Sequence, residues 1–306
     1  MTDSSSYDNA AMSAVASRMV ELDLARLAAT SGDDTHADVF HAWLQGLPLP
    51  VKGTAVRPLL SLGVSLDATA SRVRFSATGA TGAMIEPTAA FFTDVDATEA
   101  ALADIQRLGA SIEPDALTSW LEMNNAALNA GWEMSGRMDA SAAWDAVDDR
   151  RRRRTLTRFV GRHDASRLVT VGRSVGSGSV TTRLRIEIGS AADDDDVAAA
   201  TELMADLDGP MIADDVLGAL LAEAGHRALT IGLWLLGDGL ARVGFSVTDA
   251  PMALVVRLAS DGGWVDALER VAAVQGAIDA EHPSRLECFV DASGAGTELG
   301  YELVLS

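Results

Sequence analysis

The chain has 306 residues, 24 basic against 44 acidic, for a formal charge of −20. That sign opposes wholesale binding of nucleic acid or anionic membrane, and a single cysteine, Cys288, excludes an internal disulfide framework and a multi-cysteine zinc site. With 48% hydrophobic residues and no apolar run near the ~20 residues of a membrane span, the composition is that of a globular chain able to bury a sizeable core.

Met1-Thr2-Asp3-Ser4-Ser5-Ser6 lacks the basic and apolar regions of a signal peptide, so a cytoplasmic location is expected, with a monomer or weak dimer as the working state. Lys52 is the one lysine, and Tyr7 and Tyr301 are the two tyrosines. In chain order, Val15, Met19, Val20, Leu22, Leu24 and Leu27 recur at helical spacing. Ser31-Gly32-Asp33-Asp34 breaks the pattern, Ala37–Leu44 resumes it, and Leu47-Pro48-Leu49-Pro50 stops it. Residues 1–50 therefore read as a helical segment packing on a single domain over 51–306.

A repeated hairpin follows. LLSLGVSL-DATAS-RVRFSA (59–77), LVTVGRSV-GSGSVT-TRLRIEIG (168–189) and LTIGLWLL-GDGL-ARVGFSV (229–247) are alternating strands joined by small polar turns. A looser copy, RLECFVDASGAGTELGYELVL (285–305), closes the chain. The gap between the first two starts is near twice the later gaps, which places a degraded copy around 119–139, although Leu121 and Ala126–Leu128 also suit a helix. Between hairpins the period changes to 3.6 over 96–108, 197–207, 213–223 and 264–280, with Thr98 as a candidate cap and Asp193–Asp196 suited to a helix N-terminus.

Each strand has one apolar face and one small, polar, arginine-bearing face. Leu60, Leu62, Val64 and Leu66 oppose Ser61, Gly63 and Ser65, and Val73 and Phe75 oppose Arg72, Arg74 and Ser76. In an open antiparallel sheet the polar face is solvated. Ten strands, however, tend to curl or close, and arginines pointing into a closed lumen require an anionic partner or a counter-charge. The expected fold class is α+β: an antiparallel ten-stranded barrel of about five ββα(α) repeats, ringed by helices.

The repeat resembles the ABBA-fold prenyltransferases, most closely the cyanobactin-type peptide prenyltransferases. Leu60-Ser61-Leu62-Gly63-Val64-Ser65-Leu66 followed by Ser71-Arg72-Val73-Arg74, with the two later copies, carries the resemblance, which spans roughly residues 55–306. It implies an isoprenyl diphosphate co-substrate inside the barrel, with Mg²⁺ a plausible companion, and a peptide side chain or small aromatic as acceptor. At the matching positions, Arg72, Arg74, Arg183, Arg185, Arg242 and Arg137 would hold the diphosphate. Trp234, Ser61, Gly63, Gly172, Gly232 and Tyr301 would line the prenyl and acceptor pocket. Glu187 would take the proton, with Glu122, Glu133 and Glu302 as further candidates. Core packing competes for Trp234, and a counter-charge role competes for Glu187. The alternative activity is a non-catalytic module binding a peptide or hydrophobic ligand in a natural-product pathway.

Other features read as structural. Asp148-Asp149 before Arg150–Arg154 fits a solvated helix with i,i+4 pairs or a dock for an acidic peptide. Consecutive acids at Asp193–Asp196 do not converge on a cation as alternating loop ligands do. His36, His41, His163, His226 and His282 form no metal-ligand spacing, and Gly172-x₃-Gly176-x-Gly178 lacks the helix a dinucleotide loop needs.

Overall fold

The computed structural model describes residues 56–67, 71–93, 95–124, 127–136, 150–162, 168–176, 179–189, 202–203, 205–206, 229–236, 239–291 and 294–304. Alternation of apolar with small or polar residues runs through ten strands: β1 (Arg57–Ser65), β2 (Ser71–Gly79), β3 (Ala116–Asn124), β4 (Ala127–Ser135), β5 (Leu168–Gly176), β6 (Ser179–Gly189), β7 (Leu229–Leu236), β8 (Gly239–Thr248), β9 (Arg285–Asp291) and β10 (Gly294–Val304). Each hairpin pairs antiparallel with the next, and β1 pairs with β10 (Leu62 opposite Tyr301), so the sheet closes into a barrel with no exposed edge.

Helices cover the outside. After a 3₁₀ turn (Thr81–Met84) come α1 (Ile85–Thr93) and α2 (Thr98–Ile112); α3 (Arg150–Arg162), α4 (Met252–Asp261) and α5 (Ala267–Ile278) follow. The outward strand faces supply Leu62, Phe75, Leu121, Trp132, Leu184, Ile231, Phe245, Leu286 and Tyr301 to a core completed by helical Phe92, Ile105, Leu156, Val255 and Val271, all buried. Each large apolar side chain buried there contributes about 1.5–3 kcal/mol. Phe75 meets Phe91 of α1 edge to face at 5.9 Å, and Thr88 of α1 hydrogen-bonds Ser119 of β3 across 2.6 Å, which fixes α1 on the barrel wall.

Closure confirms the ten-stranded barrel, and the second hairpin is strand rather than helix, beginning at Ala116 rather than 119. Thr98 is the first residue of α2 and not its cap: Ala97 precedes it, and no side chain caps the end. The helix predicted over 264–280 starts at Ala267, preceded by α4, whose Leu254-Val255-Val256 run reads as strand by composition. Gly263, at φ +73°, makes the left-handed turn between them. The predicted N-terminal segment with its boundary near 50 and the 213–223 helix lie outside the described residues, as does most of 197–207.

Candidate functional site in the barrel lumen

A pleated strand turns every second side chain inward. Spacing of two therefore brings six guanidiniums to the lumen: Arg72 and Arg74 of β2, Arg183 and Arg185 of β6, Arg242 of β8 and Arg285 of β9. Glu122 of β3, Glu133 of β4, Glu287 of β9 and Glu298 of β10 share the lumen, with Glu302 at its rim.

Most of these groups form a closed ring. Arg74 Nε donates to Glu122 Oε2 at 2.7 Å, and Arg72 Nη1 donates to the same oxygen at 3.1 Å. Arg72 Nη2 pairs with Glu298, which lies 3.5 Å from Arg285. Glu287 bridges Arg285 (2.8 Å) and Arg242 (3.1 Å). Aromatic faces complete the circuit. The Arg242 guanidinium carbon sits 4.9 Å from the Trp234 ring, Arg183 sits 5.2 Å from Trp234 and 5.2 Å from Trp120, and Arg74 sits 4.7 Å from Trp120. Ten side chains from seven strands thus girdle the lumen, joined by six ion pairs and four cation–π contacts. Phe289 extends the aromatic arm, 3.5 Å from Arg242.

The ion-paired half is electrostatically settled. Burial alone would raise Glu122 and Glu287, but Arg74 and Arg72 around the first, and Arg242 and Arg285 around the second, bring both to about 2. Burial would lower Arg72, yet Glu298 and Glu122 outweigh it and hold the guanidinium above its usual value. Burial takes Arg285 down to about 10, partly opposed by Glu287.

Arg183 is different. It is 5% exposed, and among the described residues no carboxylate lies within ion-pair distance of it. Burial first, then the like charges of Arg74 and Arg185, push its pKa well below the ordinary value. Removing a cation from water costs several kcal/mol. Two cation–π contacts return about 2 kcal/mol each at best. Arg185, two residues on, faces a cavity and likewise has no ion-pair partner among the described residues. Among the described residues, the lumen guanidiniums without an ion-paired carboxylate are therefore the two on β6.

That cavity has a volume of about 200 Å³ and is walled by Ser61, Gly63, Arg72, Arg74, Ser76, Thr118, Trp120, Glu133, Arg185 and Arg285. It lies below the ~300–1,000 Å³ common for ligand clefts, so it suits one small ligand. Burial would raise Glu133, but Arg185, Arg183 and Arg74 hold it below the usual carboxylate range. Among the described residues no cluster of His, Cys, Asp and Glu suits a metal ion, and Glu122, Glu287 and Glu298 each pair with arginine.

The structure brings together Arg72, Arg74, Arg183, Arg185 and Arg242, and places Ser61 and Gly63 on the cavity wall. Gly232 serves Trp234: a Cβ there would lie 2.7 Å from the indole. Gly172 lies where a Cβ would meet β4, with Glu133 Cβ at 2.7 Å. Tyr301, read from the sequence as a pocket residue, stands on the opposite face, buried among the helix-covered core, because Gly300 and Glu302 take the inward positions of β10. Glu187 pairs with Thr230 in the ladder, and its side chain, like all of Arg137, lies outside the described structure. Sequence reasoning passed over Trp120, Arg285, Glu287, Phe289 and Glu298. The signal was the same alternation, Arg285-x-Glu287-x-Phe289, in the loosest hairpin.

No protein-family model and no curated protein matches the chain. Solved structures do. The 5-dimethylallyltryptophan synthase from Streptomyces coelicolor is 11% identical with a TM-score of 0.61, covering 93% of this chain and 96% of that one. A 6-dimethylallyl tryptophan synthase is 14% identical with a TM-score of 0.61, covering 92% and 95%. PriB in binary complex with product diphosphate is 12% identical with a TM-score of 0.55, covering 92% and 94%. The fold is thus that of the ABBA prenyltransferase barrels, over nearly the whole chain.

Proposed function

We propose that the barrel binds an allylic isoprenyl diphosphate and transfers its prenyl group to a small aromatic compound or a peptide side chain. The observation that carries this is Arg183, a buried guanidinium without a carboxylate among the described residues, beside Arg185 on the cavity wall. A diphosphate supplies the missing anion. Fixed guanidiniums are worth most where charge develops, on the oxygen released as the allylic C–O bond breaks. Ser61, Ser76 and Thr118 offer hydroxyl donors to the same head group. Glu133, held below the usual carboxylate range by its arginine neighbours, would take the acceptor's proton from that wall, where Glu302 is the other lining carboxylate. Glu187, on the strand of both arginines, is its competitor. The names of similar structures, two dimethylallyltryptophan synthases and one complex with diphosphate, agree with this reading.

A second reading, a binding module without catalysis, is favoured by one observation. Guanidiniums already occupy the Trp120 and Trp234 faces that would shelter an allylic cation. Incubation with dimethylallyl and geranyl diphosphates and a panel of indoles and peptides, read by mass spectrometry, separates the two. Prenylated acceptor formed by wild type and lost in Arg185→Ala supports transfer. Diphosphate binding without product from any acceptor, and without hydrolysis of the donor, supports the module.

A further inference from the structure

The aromatic half of the ring has a geometry that deepens the reading above and rests on it. Arg183 lies between two indoles, 5.2 Å from each. Both indoles are set against glycine. A Cβ on Gly131 would overlap Trp120, and Cβ atoms on Gly232 and Gly244 would lie 2.7 and 3.3 Å from Trp234. Three strands thus give up side chains so that two rings lie close to the backbone with Arg183 between them. What fills that space is a cation whose burial is only partly offset, next to a like charge on Arg185. The adjoining cavity of about 200 Å³ is walled mainly by hydroxyls and charges, which suits a diphosphate head and offers an apolar tail little beyond the Trp120 ring and Leu59.

The geometry points to Arg183 as a placeholder: the space between Trp120 and Trp234 is the seat of the donor's allylic tail, vacated when the diphosphate draws the guanidinium towards Arg185. The exchange matches charge with charge. The guanidinium leaves two π faces for phosphate oxygens, where charge-assisted hydrogen bonds are stronger. The π faces receive the allyl group, whose developing positive charge during C–O cleavage they stabilise as they had stabilised the guanidinium. The shift needs only rotation within a long flexible side chain on a fixed strand. Arrival of the head group thereby opens the pocket for the tail.

Titration calorimetry with inorganic pyrophosphate and with unreactive dimethylallyl thiolodiphosphate tests this, alongside intrinsic tryptophan fluorescence. In wild type the thiolodiphosphate should bind at least about tenfold more tightly than pyrophosphate, because the tail leaves water. Both ligands should change tryptophan emission as the guanidinium leaves the indoles. Trp234→Ala should reduce the tail's advantage below about threefold while pyrophosphate affinity stays within about threefold. Trp234→Phe, which keeps an aromatic ring, should keep part of the advantage and lose part of the emission change, whether or not the alanine variant folds. Equal affinity for the two ligands in wild type, an unchanged emission, or a full tail advantage in Trp234→Phe and Trp234→Ala overturns the placeholder and leaves diphosphate binding standing. Failure of both ligands to bind, or binding indifferent to Arg185→Ala, overturns the diphosphate reading itself.

Discussion

Replacing Arg183 with methionine should make the protein more stable and less able to bind diphosphate. The side chain is 5% exposed, and among the described residues no carboxylate pairs with it. Exchanging buried charge for a well-packed apolar group of similar length is often stabilising, by about 1–4 kcal/mol. Against that stand two lost cation–π contacts, at 5.2 Å each, of which methionine's polarizable thioether recovers a part. The net expectation is a gain of about 1–2 kcal/mol, or roughly 1.5–3 °C in Tm for a chain of 306 residues. Arg72→Met is the contrast. It leaves Glu298 without its close partner and Glu122 with one arginine fewer, in side chains only 14% and 12% exposed, and should cost about 3–5 kcal/mol. Urea unfolding of both variants, with and without pyrophosphate, reads the difference. Pyrophosphate should raise the wild-type midpoint and leave Arg183→Met nearly unmoved. If Arg183→Met unfolds at lower urea than wild type by more than about 1 kcal/mol, the guanidinium is a net structural asset and the argument for a missing anion fails.

Acid should undo the ring over a defined window. Glu122 and Glu287 fall from an ordinary value of 4.5 to about 2 in the folded barrel. Groups with a depressed folded pKa contribute fully above their unfolded value and lose that contribution as pH falls through the folded one, so stability should drop between about pH 4.5 and pH 2, by on the order of 3 kcal/mol for each carboxylate. Urea midpoints that stay flat across that window contradict the ring. Gly131→Ala should force the Trp120 indole away from β4, costing about 1–3 kcal/mol in unfolding free energy and weakening pyrophosphate binding, since Trp120 walls the cavity. A variant with wild-type stability would mean that the indole does not lie against Gly131.

Period-two alternation made the barrel legible in the sequence. Ser61, Gly63, Arg72 and Arg74 face the lumen because Leu62, Phe75 and Ala77 must face the helices. The arginines were legible for the same reason. Their partners were not. Glu298 meets Arg72 only when β1 pairs with β10 and closes the barrel, a contact spanning 226 residues, and Glu287 meets Arg242 across the β8–β9 pair, 45 residues apart. Nothing local in Trp120 or Trp234 marks them as companions of one guanidinium, since their strands, β3 and β7, are separated in the barrel by β4, β5 and β6. Tyr301 was assigned to the pocket by resemblance, and the alternation of β10 puts it on the face opposite Gly300 and Glu302. Helix α4 was missed because Pro251 followed by Leu254-Val255-Val256 has strand-like composition, and its helicity comes from packing against the barrel.

The most direct measurement is the difference density of crystals grown with pyrophosphate. One ordered pyrophosphate is expected in the cavity, held by charge-assisted bonds of about 2.7–2.9 Å from both Arg183 and Arg185, with the Arg183 guanidinium moved off the two indoles. Density elsewhere, or a bound pyrophosphate with Arg183 still between Trp120 and Trp234, would contradict it.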